Sequence, residues 1–212
     1  MIDHRVYLVT DDPSRYAGNW LDNIRSAVEG GVTCVQYRDT ESDRNVRYQR
    51  ALALRDALAG VPLIINNDVE LARAIGAEGV HVGQSDMPPD AVRRLVGRNC
   101  EIGWSITDSA QLVRLEAFAD AGAVDCIGIG PVFDARRTKA DAADALGLDG
   151  LKRIAEATAE IPNSAIGGIT LANAADVIAS GAMGLAVVSA FSKAEDPYEI
   201  AKKFRMLFDD RR

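Results

Sequence analysis

Three groups of residues in this chain have types and spacings suited to chemistry. Asn66, Asn67 and Asp68 follow one short apolar run and Asp86 follows the next, so amide and carboxylate oxygens come from two successive turns. Such oxygens suit a hard cation of the Mg2+ type, which takes one or two carboxylates and completes its shell with water and phosphate oxygens. The same residues could instead cap the helices that follow them. Gly167-Gly168 after one apolar run and Ser189 after the next form the second group. Glycine lets backbone N–H groups approach an anion, and a following helix adds a favourable field, so the pair reads as a phosphate site or, alternatively, as a tight turn. The third group is the segment 134–145, where Arg136, Arg137, Thr138 and Lys139 stand among small residues with no apolar periodicity. A loop of this length inside a compact chain is usually a lid or binding loop. Its cations suit an anion, or else serve solubility as a solvated face. No Ser or Cys has an evident histidine partner, and no Lys follows a strand in Schiff-base position. His4 stands in an irregular start and His81 inside an apolar run, where it reads as a satisfied core residue. What remains is cations, amides and a metal around phosphates, a set suited to stabilising a phosphate leaving group.

The elements that must position these groups alternate. Short apolar runs at 5–10, 32–37, 62–65, 79–82, 101–104, 126–129, 164–166 and 185–188 read as strands. Stretches with helical spacing separate them, at 20–28, 47–58, 69–75, 88–96, 109–121, 148–159 and 171–179, with a last one at 197–208. Gly76, Gly122 and Gly181 recur at the same place between helix and strand, each suited to a left-handed helix cap. Eight such units predict an α/β fold, a single (β/α)8 TIM barrel with a parallel eight-stranded core over 1–212; an open doubly wound sheet is the alternative. In a barrel the chemistry belongs at the carboxyl ends of the strands. Thr10-Asp11-Asp12, Gln36-Tyr37-Arg38, Asn66 to Asp68, Gln84 to Asp86, Ser105, Gly167-Gly168 and Ser189 all fall there, whereas the opposite ends read as Gly, Ala and Pro turns with little chemistry.

Composition narrows the function classes. A formal net charge of -7 argues against nucleic acid as a partner, so any anion site must be local. Three cysteines, Cys34, Cys100 and Cys126, show neither disulfide nor zinc spacing, and Cys34 and Cys126 read as inert core residues. No apolar run approaches the ~18 residues that would span a membrane, and the start carries no signal-peptide pattern, so a cytoplasmic protein is expected. A homo-oligomer is compatible with the sequence.

YLVTD near the start, VQYR in the second strand, IINNDVELA running on to GVHVGQSD, the GPVF…TK loop, and AIGGIT with AVVSA resemble the thiamine-phosphate synthase family over nearly the whole chain. The resemblance implies a (β/α)8 transferase that joins hydroxymethylpyrimidine diphosphate to thiazole phosphate with Mg2+, releasing pyrophosphate in thiamine biosynthesis. It implies small-molecule substrates as the partners, with Gln36, Arg38, Asn66, Ser105 and Lys139 on the pyrimidine diphosphate and the position of Thr40 beside it. Arg38, Ser105 and Lys139 are the implied catalytic set. Asp86 and Asn67 are the implied Mg2+ ligands, and Gly168, Val188, Ser189 and the loop at Arg136, Arg137 and Thr138 hold the thiazole phosphate. The implied mechanism is dissociative: pyrophosphate departs, and the thiazole nitrogen captures a pyrimidine methyl cation. Three positions depart from the family pattern. Thr40 stands where a lysine is usual, Asn67 where an aspartate is common, and 134–139 is longer and poorer in threonine than the usual loop. A related thiazole tautomerase carries its catalytic histidine just after strand five, where this chain has Ile106 and Thr107. The remaining alternative is a barrel that binds phosphorylated ligands with weakened catalysis.

Overall fold

The computed structural model describes residues 1–136, 138 and 142–209. Eight parallel strands, β1 (Val6–Val9), β2 (Cys34–Tyr37), β3 (Leu63–Asn66), β4 (Gly79–Val82), β5 (Glu101–Ile106), β6 (Cys126–Ile129), β7 (Asn163–Ile166) and β8 (Gly184–Val187), pair in chain order. In β1, Tyr7 to Val9 register against Cys34 to Gln36 of β2 and Val6 to Leu8 against Leu185 to Val187 of β8, so the sheet closes and the open-sheet alternative falls. The helices between them are α1 (Trp20–Glu29), α2 (Arg44–Ala57), α3 (Val69–Ile75), α4 (Pro89–Val96), α5 (Leu112–Asp120), α6 (Gly147–Ala157), α7 (Ala174–Ala179), α8 (Ser189–Ser192) and α9 (Pro197–Asp209). The sequence reading missed α8, because four residues running straight on from a strand are too few to show a helical period. Among the described residues no helix is long and apolar enough to cross a membrane.

Local chemistry explains the boundaries. Asn19 accepts from Leu21 and Asp22 N–H to start α1, and Asp68 accepts from Leu71 N–H to start α3. Gly76, Gly122 and Gly181 all hold positive φ (64°, 64° and 100°) behind their helices, as the repeated spacing predicts.

Side chains alternate across the wall with period two, and this alternation builds the site. Val6, Leu8, Val35, Leu63, Ile65, Val80, Val82, Ile102, Trp104, Ile127 and Leu185 face outward and pack with the helices in the large core. A smaller apolar cluster, Tyr7, Val9, Cys34, Ile64 and Ala186, lies on the inner face. The outward shell is filled tightly: Ile102 and Leu8 are 0% exposed, so Ile102→Ala would cost about 2–5 kcal/mol. Polar inward positions, among them Gln36, Asn66, His81, Ser105 and Ser164, converge on the axis.

Candidate active site

A cavity of about 1050 Å³ opens at the carboxyl ends of the strands and reaches down the barrel axis. From β2 it is lined by Gln36, Arg38 and, in the loop beyond, Asp39 and Thr40. Gln36 is buried, and its Nε2 donates to Tyr7 Oη at 2.6 Å. Arg38 is anchored through its backbone, whose N–H donates to Thr10 Oγ1 at 2.8 Å and whose carbonyl accepts from the same hydroxyl at 3.2 Å. Its Nη1 reaches 3.5 Å from the Thr138 carbonyl, linking β2 to the long loop. Asp39 is fixed too. Burial would raise its pKa, but hydrogen bonds from Ser42, Arg50 and Tyr37 outweigh that and hold it at about 2.

The turns after β3 and β4 bring the proposed metal ligands to the same wall, with Asn67 and Asp86 both lining the cavity. Asn67 holds a left-handed backbone (φ 62°), a conformation that asparagine tolerates better than most residues. Asp68 does not join it: one oxygen caps α3 and the other pairs with Arg47 at 3.3 Å, so the capping reading holds for that residue. Asp86 caps no helix. Its Oδ2 accepts from Gly83 N–H at 2.7 Å, while the residue ahead of α4 is Pro88, which has no side-chain cap bond. One carboxylate and one amide oxygen match the donor set of Mg2+, which relies on substrate and water for the rest.

Asn66 and Ser105 line the cavity below these turns, and Ser105 Oγ lies 3.0 Å from His81 Nε2. His81 is satisfied by that contact, as the sequence reading has it, and it also lines the cavity deep inside the barrel. Space for its ring comes from two glycines: a Cβ on Gly103 would stand 2.3 Å from His81 Nδ1, and one on Gly128 would stand 3.0 Å from Cε1. Burial, with a smaller contribution from the charge of His4, pushes the His81 pKa down to about 4, so at neutral pH the ring is uncharged.

The third wall is formed at the ends of β6, β7 and β8. Thr138, Gly168, Val188 and Ser189 line the cavity there. Gly167 and Gly168 have φ of 103° and 65°, and a Cβ on either would meet Pro131 or Phe133 at under 3 Å, at 2.6 Å and 2.7 Å. The glycine pair is thus required by packing against the segment after β6, and it leaves backbone rather than side chain at the cavity edge. Arg136 is exposed, pairs with Asp144 at 2.7 Å and Asp134 at 3.7 Å, and is not among the cavity-lining residues. Arg137 and Lys139 lie outside the described residues.

A family model described as thiamine monophosphate synthase matches residues 6–191. The thiamine-phosphate synthase of Albidiferax ferrireducens is 44% identical over 207 residues, 97% of this chain and 92% of that one. That of Chloroflexus aurantiacus is 44% identical over 98% of this chain and 94% of its own. The chain belongs to the thiamine monophosphate synthase family. A solved structure of thiamine phosphate pyrophosphorylase from Pyrococcus furiosus shares the fold with a TM-score of 0.83 and 29% identity, covering 98% of this chain and 96% of that one.

Within that family the geometry also speaks on the tautomerase alternative. Ile106, just after Ser105, is 0% exposed and turned into the outer core, so β5 presents Ser105 and Thr107 to the cavity and no imidazole. The sequence reading missed Arg15, which lines the cavity from a 3-10 turn (Pro13–Arg15) and pairs with Asp11 at 3.1 Å. The signal was present: Asp12-Pro13-Ser14 is a capped turn start at the carboxyl end of β1, and Asp12 accepts from Ser14 N–H at 2.8 Å.

Proposed function

We propose that this chain is a thiamine-phosphate synthase, transferring the pyrimidinylmethyl group from hydroxymethylpyrimidine diphosphate to the nitrogen of thiazole phosphate and releasing pyrophosphate. The observation that carries this reading is the convergence of Gln36, Arg38, Asn66, Asp86, Ser105 and Ser189, from five strand ends, on one cavity of about 1050 Å³. That is room for two small phosphorylated substrates side by side.

The cavity's residues suit ionisation rather than covalent catalysis. The carbon–oxygen bond to the diphosphate breaks with its electron pair leaving on pyrophosphate, and the thiazole nitrogen lone pair then closes the new carbon–nitrogen bond. Negative charge grows on the leaving oxygen as the bond breaks, so a fixed cation there acts chiefly in the transition state. Arg38, pinned through its backbone by Thr10, supplies one such cation, and the family resemblance assigns the second to Lys139, which lies outside the described residues. Asn67 and Asp86 would hold Mg2+, which when bound neutralises the diphosphate. Gln36, Asn66 and Ser105 offer amide and hydroxyl groups to the edge of the pyrimidine. Gln36 is set by Tyr7, and Ser105 by an uncharged His81 that leaves the hydroxyl free to donate or accept. Thr138, Ser189 and the backbone at Gly168 and Val188 hold the thiazole phosphate at the far wall. Arg136 is left out of this set, because its guanidinium is engaged by two loop carboxylates.

The test is direct. Purified protein is incubated with both substrates and Mg2+, and thiamine phosphate is detected by fluorescence after oxidation. Product formation that requires both substrates supports the reading; binding of the substrates without product would leave a ligand-binding barrel instead.

A further inference from the structure

At the opposite end of the barrel, His4, Glu101 and Cys126 bring an imidazole nitrogen, a carboxylate oxygen and a thiol sulfur within 4.8 Å of one another. Among the described residues this is the one such group of three or more His, Cys, Asp and Glu ligand atoms. The backbone fixes it: His4 lies just ahead of β1, and Glu101 and Cys126 open β5 and β6. Glu101 Oε1 stands 2.5 Å from His4 Nε2 and 3.7 Å from Cys126 Sγ. The other oxygen, Oε2, accepts from Ile2 N–H at 2.8 Å, which orients the carboxylate so that Oε1 faces the other two groups. The His4 ring is held edge-on against Tyr7, with centroids 5.0 Å apart, and its Nδ1 lies 3.9 Å from Cys34 Sγ. The side chains of His4 and Glu101 are each only 9% exposed, and Cys126 is 5% exposed.

We propose that His4 Nε2, Glu101 Oε1 and Cys126 Sγ form a site for a borderline divalent cation of the Zn2+ type, with water as the fourth ligand. Sulfur with imidazole selects against Mg2+ and for zinc-like ions, whereas the Asn67 and Asp86 oxygens at the other end select the reverse. Bonds of about 2.0–2.3 Å to a tetrahedral ion place nitrogen and oxygen ligands about 3.3 Å apart. The His4 and Glu101 pair therefore opens by less than one ångström on loading. The ion has a route in, since His4 and Cys126 line the floor of the axial cavity. Bound there, it joins the segment ahead of β1 to β5 and β6 across the bottom of the barrel, and so acts on stability rather than on the reaction.

The experiment titrates the chelator-stripped full chain with Co2+ in the presence of excess Mg2+, which occupies oxygen-only sites. The expected result is the visible d–d absorption of tetrahedral Co2+ with a sulfur charge-transfer band, saturating at one ion per chain and erased by Zn2+. Cys126→Ser and His4→Ala each lose the band, and Cys100→Ser keeps it. A parallel thermal melt reads a Zn2+-dependent rise in Tm for the wild type that His4→Ala abolishes. Absence of the band from the wild type, or its survival in Cys126→Ser, overturns the proposal.

Discussion

The two ends of this barrel carry the same kinds of polar side chain and use them differently. At the amino end, one acceptor at or beside the start of a strand reaches across to a neighbouring N–H. Glu78 takes Leu63 N–H at 2.9 Å, Asp125 takes Ile102 N–H at 2.7 Å, Asn163 takes Met183 N–H at 3.0 Å, and Glu101 takes Ile2 N–H at 2.8 Å. Several of these acceptors have a second partner as well. Arg93 pairs with Asp125, and Arg55 lies 3.6 Å from Glu78. At the carboxyl end the bonds run differently. Asp86 is held by the Gly83 N–H, Arg38 is anchored through its backbone by Thr10, and Ser105 meets His81, while each residue also lines the cavity. Partners, not residue types, thus separate the end that holds the barrel together from the end that meets a ligand.

That contrast breaks most readily at its most reactive point. Arg38→Gln and Lys139→Ala should each lower kcat by roughly 10²-fold or more, the scale for loss of one preorganised electrostatic contact, and raise KM far less. Steady-state kinetics read this, alongside thermal melts that should show little change in Tm. A fall in Tm with kcat intact would put these cations on the structural side of the comparison. Asp86→Ala should raise the Mg2+ concentration for half-maximal rate by about tenfold or more, whereas Asn67→Asp should lower it or leave it unchanged, because a carboxylate brings charge that an amide lacks. A Mg2+ titration of Asp86→Ala that overlays the wild type would remove the metal from that wall.

The amino end should respond in the opposite currency. Asp125→Ala leaves the buried-side Arg93 guanidinium and the Ile102 N–H without their shared acceptor, so it should cost about 1–3 kcal/mol of stability while kcat stays within about twofold. Denaturant unfolding and kinetics on the same preparation check it together. A variant with normal stability and depressed kcat would show the two ends to be coupled.

Most of this fold was legible because it repeats. Alternating runs, the glycine caps at Gly76, Gly122 and Gly181, and the polar residues after each strand specify eight parallel βα units and their active end without any long-range information. Closure was not legible, since no local pattern records that β8 returns to β1. The cluster at the amino end was not legible for a related reason. Glu101 and Cys126 look like a strand's first residues and His4 like an irregular start, and only the closed sheet shows that they meet. That His81 also reaches the cavity was not legible, because the room for its ring comes from Gly103 and Gly128 on two other strands. At Arg136 the charge was visible in the sequence, but its pairing with Asp134 and Asp144 was not, because the contact with Asp144 depends on how the loop folds.

A smaller effect lies in the middle of the barrel, between the two ends. His81 titrates at about 4 when folded and near 6.5 when unfolded, so between those values the unfolded chain binds the extra proton. Its contribution to stability is therefore complete above the unfolded value and lost as pH falls through that window. Replacing it by asparagine should flatten the acid limb of stability between about pH 6.5 and pH 4. Denaturant midpoints measured across that range, equally steep in both proteins, would show that the ring is already charged in the barrel.

The smallest expected effect is at Arg136, and it tests whether visible charge or available charge matters at the carboxyl end. The family resemblance implies a lysine at the position of Thr40, and Thr40 lines the cavity with its hydroxyl 3.3 Å from Glu41. A cation missing beside pyrophosphate invites compensation from the loop. Arg136 is poorly placed to provide it: its side chain is 54% exposed, its Nη2 lies 2.7 Å from Asp144, and its own backbone N–H is turned to Asp134. Exposed pairs of this kind contribute about 0–1 kcal/mol and would have to break before the guanidinium could serve a substrate. Arg136→Ala should therefore change kcat and KM by less than about threefold, within that energy range. Thr40→Lys should by itself raise kcat/KM, since it restores a cation to a wall that already holds Arg38 and, beside Asp11, Arg15. If Arg136→Ala instead costs tenfold or more, and Thr40→Lys recovers the loss in the double variant, the loop arginine leaves its carboxylates during turnover and the comparison between engaged and available charge fails at this residue.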